Sequence, residues 1–147
     1  MAFEITNAAP RHLEALEKLE QSCFSLPWTR EMLYSQLPDD SHEFLVAEED
    51  GELLGYVGMM TVLDEGYISN VAVRPDFRRR GVAEALLRAL EARSRALRLS
   101  FLTLEVRAGN AAAVALYEKR GYRVVGRRKN YYEKPTEDAI LMTLTLE

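Results

Sequence analysis

The sequence predicts an α+β fold: a mixed, mostly antiparallel seven-stranded sheet flanked by about four helices. Three observations lead there. β-prone and helical segments follow the order strand, two helices, three strands, helix, strand, helix, two strands. The strand–helix–strand stretch in the middle implies a locally parallel pair, because parallel neighbours need a long crossover. The 147 residues, 48% hydrophobic and 29% charged, suit one domain with a real core, expected to span residues 1–147.

The elements follow in order. Phe3 to Asn7 reads as a short first strand. From Pro10 to Cys23, Leu13, Leu16, Leu19 and Cys23 recur at helical spacing. Pro27 and Trp28 interrupt the pattern, and Thr29 caps a second helix to about Leu37, with Glu31 in its first turn. Strands Glu43 to Glu48 and Leu53 to Val62 flank a turn at Asp50-Gly51. Tyr67 to Val73 is a further strand, stopped by Pro75. A long helix from about Gly81 to Leu97 buries Ala83, Leu86, Leu87, Leu90 and Leu97. Phe101 to Arg107 is a strand, and Asn110 opens a short helix that ends before Gly121, a left-handed cap. Tyr122 to Lys129 and Ala139 to Leu146 complete the sheet.

The net charge of −4 and pI near 5.3 argue against a general nucleic-acid binder, which carries a basic face. They are compatible with a cationic substrate. Cys23 is the one cysteine, and the two histidines, His12 and His42, lie far apart in sequence. No internal disulfide forms, and no metal site is expected. No signal peptide and no membrane segment is read, so the expected location is cytoplasmic and no membrane partner is expected.

The most informative stretch runs from Val71 to Ala83: a strand, a turn, the basic run Arg78-Arg79-Arg80-Gly81, then a helix start. Free N–H groups and the helix dipole make such a place an anion site. Gly81 admits a close backbone approach and the arginines add fixed charge. It is neither a Walker loop nor a three-glycine dinucleotide loop. A solvated basic turn is the plain alternative.

Arg78-Arg79-Arg80-Gly81-Val82-Ala83 resembles the coenzyme A loop of the GNAT superfamily, usually written Gln/Arg-x-x-Gly-x-Gly/Ala. The resemblance implies acetyl-CoA as co-substrate. Backbone groups of Val71, Ala72 and Val73 would meet its pantetheine arm. The loop's amides from Arg79 to Glu84 would hold the pyrophosphate. Arg78 stands where the family often has Gln. The resemblance also implies a splay between the Tyr67–Val73 and Phe101–Arg107 strands.

A second stretch carries proton chemistry. Alternation puts Leu102, Leu104 and Val106 on one strand face and Phe101, Thr103, Glu105 and Arg107 on the other. Asn110 suits an N-cap, and Tyr117 lies seven residues on, on the same side of the helix. An amine arrives mostly as ammonium and attacks only when neutral, so a carboxylate must take its proton. A leaving thiolate can take one from a phenol, which stays protonated at neutral pH. Glu105 and Tyr117 fit those roles, against the plain readings of a solvent-facing glutamate and a packing tyrosine.

The chain from about Ile5 to Leu146 resembles the RimI-like branch of GNAT, the bacterial ribosomal-protein-alanine N-acetyltransferases. The matching points are Ser25-Leu26-Pro27-Trp28-Thr29, Leu63-Asp64-Glu65, Leu104-Glu105-Val106-Arg107, Asn110-Ala111-Ala112-Ala113, Ala115-Leu116-Tyr117-Glu118 and Asn130-Tyr131-Tyr132. The resemblance implies Glu105 as proton acceptor, Tyr117 as proton donor and Asn110 as a cofactor contact. It implies the N-terminal amine of a small-subunit ribosomal protein as acceptor.

Direct attack on acetyl-CoA is preferred over a Cys23 acyl-enzyme, since no Cys/His arrangement is evident. For Leu26 and Trp28, a substrate groove and an interhelix turn stand equal. For Tyr131 and Tyr132, closure over a peptide and aromatic loop packing do too. Asp64 and Glu65 either attract a cation or form a turn. Arg127-Arg128-Lys129 reads as a solvated strand end rather than a ribosome contact. Two other functions stand beside the leading one: acetylation of lysine side chains or a small amine, and a non-catalytic acetyl-CoA-binding module.

Overall fold

The computed structural model describes residues 3–146. Seven strands share one sheet: β1 (Glu4–Asn7), β2 (His42–Glu49), β3 (Glu52–Val62), β4 (Glu65–Val73), β5 (Phe101–Arg107), β6 (Arg123–Tyr132) and β7 (Glu137–Thr145). Their spatial order is β1-β2-β3-β4-β5-β7-β6. All neighbours are antiparallel except β4 and β5. Four α-helices complete the fold: α1 (Leu13–Cys23), α2 (Arg30–Ser35), α3 (Val82–Ala96) and α4 (Ala111–Lys119). Helix α3 is the crossover that lets β4 and β5 run parallel.

Two-residue alternation splits the core into two layers. In β2, Phe44 and Val46 join Leu16, Leu19, Leu33 and Tyr56 on the α1–α2 side. Leu45 and Ala47 join Leu86, Leu87, Leu90, Leu102 and Leu104 on the α3 side. On β5 the expected alternation holds, with Leu102, Leu104 and Val106 buried and the intervening residues partly exposed. Glu105 therefore lies on the face away from α3.

The sheet is irregular where the cleft forms. Parallel pairing of β4 with β5 covers only Glu65–Ile68 against Phe101–Leu104. Beyond Ile68, β4 stays paired with β3 alone. The register shifts at Gly58/Met59, which face Asn70 and Ile68, so Ser69 is an extra residue in β4. A second irregularity lies in β6. Arg128 faces Ala139 and Tyr132 faces Glu137, which leaves Lys129, Asn130 and Tyr131 opposite Asp138. The Asp138 carboxylate holds that bulge, accepting from the Asn130 N–H at 2.9 Å and Arg127 Nε at 2.8 Å. Asn130 takes the positive φ of 53° that the turn needs.

Several boundaries differ from the sequence reading. Helix α3 ends at Ala96, and Leu97 is its C-cap, 49% exposed. Leu97 is thus not part of the buried stripe, which Val82, Glu91 and Ser94 complete instead; Leu99 returns to the core. Pro10–His12 is a 3-10 turn before α1. Helix α2 stops at Ser35 rather than Leu37. Strand β4 starts earlier, at Glu65, and β6 extends to Tyr132. The turn glycines behave as expected, with φ of 81° at Gly51 and 98° at Gly121. Among the described residues, no helix is long and apolar enough to cross a membrane.

Candidate active site

The β4–β5 gap opens into a cleft of about 770 Å³. It is lined from both sides of the sheet. Glu20, Cys23 and the segment Phe24–Trp28 come from the α1–α2 side, and Ala113 and Tyr117 from α4. Ile68–Val71 and Leu104–Arg107 form the walls, and Tyr131 and Tyr132 at the end of β6, with Glu133–Pro135 after them, complete the lining.

Of the residues expected at the site, the cleft brings together Val71, Glu105, Asn110, Tyr117, Leu26, Trp28, Tyr131 and Tyr132. Ala72, Val73 and the segment Arg78–Glu84 do not line it. They sit past the end of β4, where the chain enters α3.

That junction has the build of an anion site. Gly81 is the N-cap of α3 with φ of 80°, a left-handed conformation that favours glycine. A Cβ there would meet no heavy atom within 4 Å, so the constraint is conformational rather than spatial. The first helical bond runs from the Ala85 N–H to the Gly81 carbonyl at 3.0 Å. The N–H groups of Val82, Ala83 and Glu84 thus precede any intrahelical acceptor. Val82 is buried. Glu84 is drawn to Lys119 at 3.0 Å, which, with Arg88 and Arg120 beside it, holds its carboxyl below the usual range. Arg78 braces the loop, its Nε donating to the Val73 carbonyl at 3.2 Å. Arg80 stacks over Phe77 at 4.8 Å, while Arg79 is exposed with φ of 64°. Arg74 is paired with Glu52 and Asp76, but among the described residues no carboxylate pairs with Arg78, Arg79 or Arg80. The donor set fits a diphosphate: free amides, a helix N-terminus and uncompensated arginines.

At the other end of the gap, both Glu105 oxygens are engaged. Arg128 Nε lies 2.6 Å from one and the Tyr131 hydroxyl donates to the other at 3.1 Å. Tyr117 is 8% exposed; burial, with the charge of Tyr132 second, pushes its phenol up to about 12. Asn110 caps α4, its side chain accepting the Ala113 N–H at 3.2 Å. Tyr131 and Tyr132 pack edge to face at 5.1 Å. Arg107 holds their loop by donating to the carbonyls of Glu133 and Pro135, both at 2.9 Å. It also lies 4.5 Å from the centroid of the Tyr132 ring.

Glu20 is the site residue that the sequence reading missed. It is 1% exposed, and its carboxylate accepts the Trp28 N–H at 2.7 Å and the Tyr56 hydroxyl. Burial raises its carboxyl above the usual range. It fixes the α1–α2 connection, and with it Leu26 and Trp28, to β3. Its signal was there: it follows Leu19 and lies four residues after Leu16, a carboxylate inside an apolar stripe. Asp64 turns out to serve the β3–β4 turn, its carbonyl accepting the Ser100 N–H at 2.6 Å. Among the described residues, no cluster of His, Cys, Asp and Glu is arranged to hold a metal ion.

The family model of the GNAT acetyltransferases matches residues 13–122. The ribosomal protein bS18-alanine N-acetyltransferase of Escherichia coli K12 is 36% identical over 146 residues, covering 97% of each chain. The enzyme of that name from Salmonella typhimurium is 37% identical over 138 residues, 91% of each. A crystal structure of the ribosomal-protein-S18-alanine N-acetyltransferase from Escherichia coli superposes with TM-score 0.93 at 33% identity, covering 99% of this chain and 95% of that one. Arabidopsis thaliana NAA60 in complex with acetyl-CoA shares the fold, with TM-score 0.90 at 23% identity, covering 99% of this chain and 100% of that one.

Fold and relatives define an acetyl-CoA-dependent N-acetyltransferase. The chain belongs to the GNAT acetyltransferase family and resembles its RimI-like branch.

Proposed function

We propose that this enzyme acetylates the N-terminal α-amine of a protein, with ribosomal protein bS18 the first acceptor to test. The observation that carries the reading is the passage between β4 and β5. It joins Glu105, on one face of the sheet, to Tyr117, on the other, in one cleft. The named relatives act on bS18 and support that acceptor. With a ribosomal acceptor, the expected compartment is the cytoplasm.

The amides of Arg79–Glu84, with Arg78, Arg79 and Arg80 around them, would hold the pyrophosphate of acetyl-CoA. Val71, Ala72 and Val73 would offer backbone groups to its pantetheine arm, since there β4 is paired with β3 but no longer with β5. When bound, acetyl-CoA supplies an activated acetyl thioester. Leu26, Trp28, Tyr131 and Tyr132 would flank the acceptor peptide. Glu105 takes the ammonium proton, directly or through water, so that the neutral amine attacks the carbonyl. Tyr117 keeps its proton at neutral pH and gives it to the departing sulfur. Both substrates are held together, so proximity does much of the work.

The test is incubation with acetyl-CoA and a peptide bearing the bS18 N-terminus, read by fragment mass spectrometry. One acetyl group at the α-amine is expected. Acetylation confined to lysine side chains would overturn the proposal.

A further inference from the structure

We propose that Arg128 is a built-in stand-in for the acceptor's ammonium group: its guanidinium occupies the Glu105 carboxylate in the free enzyme and yields that place when a peptide with a free α-amine enters. This rests on Glu105 being the group that meets the amine.

The geometry favours an exchangeable pair. The closest approach of Arg128 to Glu105 is Nε to one carboxylate oxygen at 2.6 Å, and among the described residues the two side chains form no two-point hydrogen-bonded fork of the kind that makes such pairs strong. The Arg128 side chain is 57% exposed and that of Glu105 30%. Solvent-exposed pairs of this kind are weak and readily replaced. The bulge at Lys129–Tyr131, held by Asp138, follows Arg128 directly and carries the cleft-lining Tyr131. The Tyr131 ring lies 5.8 Å from the guanidinium and offers it a face once Glu105 is taken.

The other charged groups near Glu105 do not compete. Arg107, two residues along β5, is engaged by Glu137 at 3.2 Å and by two loop carbonyls. Tyr117, Tyr131 and Tyr132 are neutral at ordinary pH. Among the described residues, Arg128 is the one cation paired with Glu105. It does not act as an acid here, because a guanidinium keeps its proton throughout the working range. It keeps the cation position at the carboxylate filled. An acetylated N-terminus carries no charge and has nothing to exchange, so the returning Arg128 favours product departure.

The test compares two peptides of one sequence, one with a free and one with an acetylated N-terminus. Their affinities for the CoA-bound enzyme are measured by calorimetry near pH 7. Arg128→Met should tighten the free-amine peptide about two- to fivefold, the range of an exposed pair. It should leave the acetylated peptide unchanged. Arg128→Lys should keep wild-type affinities, and Arg128→Met in a Glu105→Gln background should change neither. Free-amine binding that is unchanged or weaker in Arg128→Met, or an equal shift for both peptides, overturns the proposal. Thermal unfolding of each variant shows that the fold is intact. Unimpaired turnover in Glu105→Gln removes the parent reading of Glu105. Impaired turnover there, with no tightening in Arg128→Met, removes only the role of Arg128.

Discussion

Glu105 and Tyr117 share one cleft, and in the proposed reaction they have different tasks. An ammonium blocks attack altogether until it is deprotonated. A thiolate is a tolerable leaving group, since a thiol's ordinary pKa is about 8.5. Loss of the base should therefore cost more than loss of the acid. Glu105→Gln is expected to lower kcat about 10²-fold or more, with acetyl-CoA affinity unchanged by calorimetry. Tyr117→Phe should slow single-turnover chemistry by less. The direction of the Tyr117 shift gives a second reading. Burial holds its proton to about pH 12 in the folded enzyme, against about 10 when unfolded. Its contribution to stability is complete below pH 10 and fades as pH rises toward 12. Tyr117→Phe should lose less stability than wild type across that window in alkaline urea melts. Tyr132 is also pushed up to about 12, so the flattening is partial.

At the scale of elements, the connection from α1 to α2 and the start of α3 each hang on one residue. Glu20→Ala leaves the Trp28 N–H and the Tyr56 hydroxyl without their buried acceptor, at about 1–3 kcal/mol for each unsatisfied group. It should lower stability in a denaturant titration and raise the peptide KM more than the acetyl-CoA KM. Gly81→Ala forces a Cβ into the left-handed region, at roughly 1–2 kcal/mol. It should raise the acetyl-CoA KM and leave the peptide KM nearly unchanged. Both elements were readable in part from the chain. Arg-Arg-Arg-Gly after a strand announced the α3 junction through chemistry that needs few tertiary partners. Glu20 went unseen because the α1 stripe was traced by apolar residues, and a buried carboxylate is recognised only by its distant partner, Tyr56 on β3. Arg128 is solvated, as read, but its pairing with Glu105 went unseen for the same kind of reason. The bulge near it depends on Asp138, in another strand, and no local pattern marks it.

On the whole-molecule scale, the sheet is a wall with one opening. The alternation in β5 forecast which of its faces is buried, and the order of elements forecast the parallel pair. The position where that pair ends did not follow from pattern, because Ser69 enters as an extra residue in a strand with no local signal for it. The opening sets the order of events. Helix α4 bounds it on one face, while the α1–α2 connection bounds it on the other. In the proposed reaction both substrates are held in the cleft together, so no residue has to store the acetyl group between visits. Cys23 is the one thiol able to do so; it lines the cleft, and its sulfur is held 3.5 Å from the Val73 carbonyl and 3.6 Å from Arg78. Initial rates should therefore give intersecting rather than parallel double-reciprocal lines. Coenzyme A should compete with acetyl-CoA but not with peptide, and Cys23→Ser should keep turnover. Parallel lines, together with an acetyl group trapped on Cys23 in the absence of peptide, would replace direct transfer with a two-stage route.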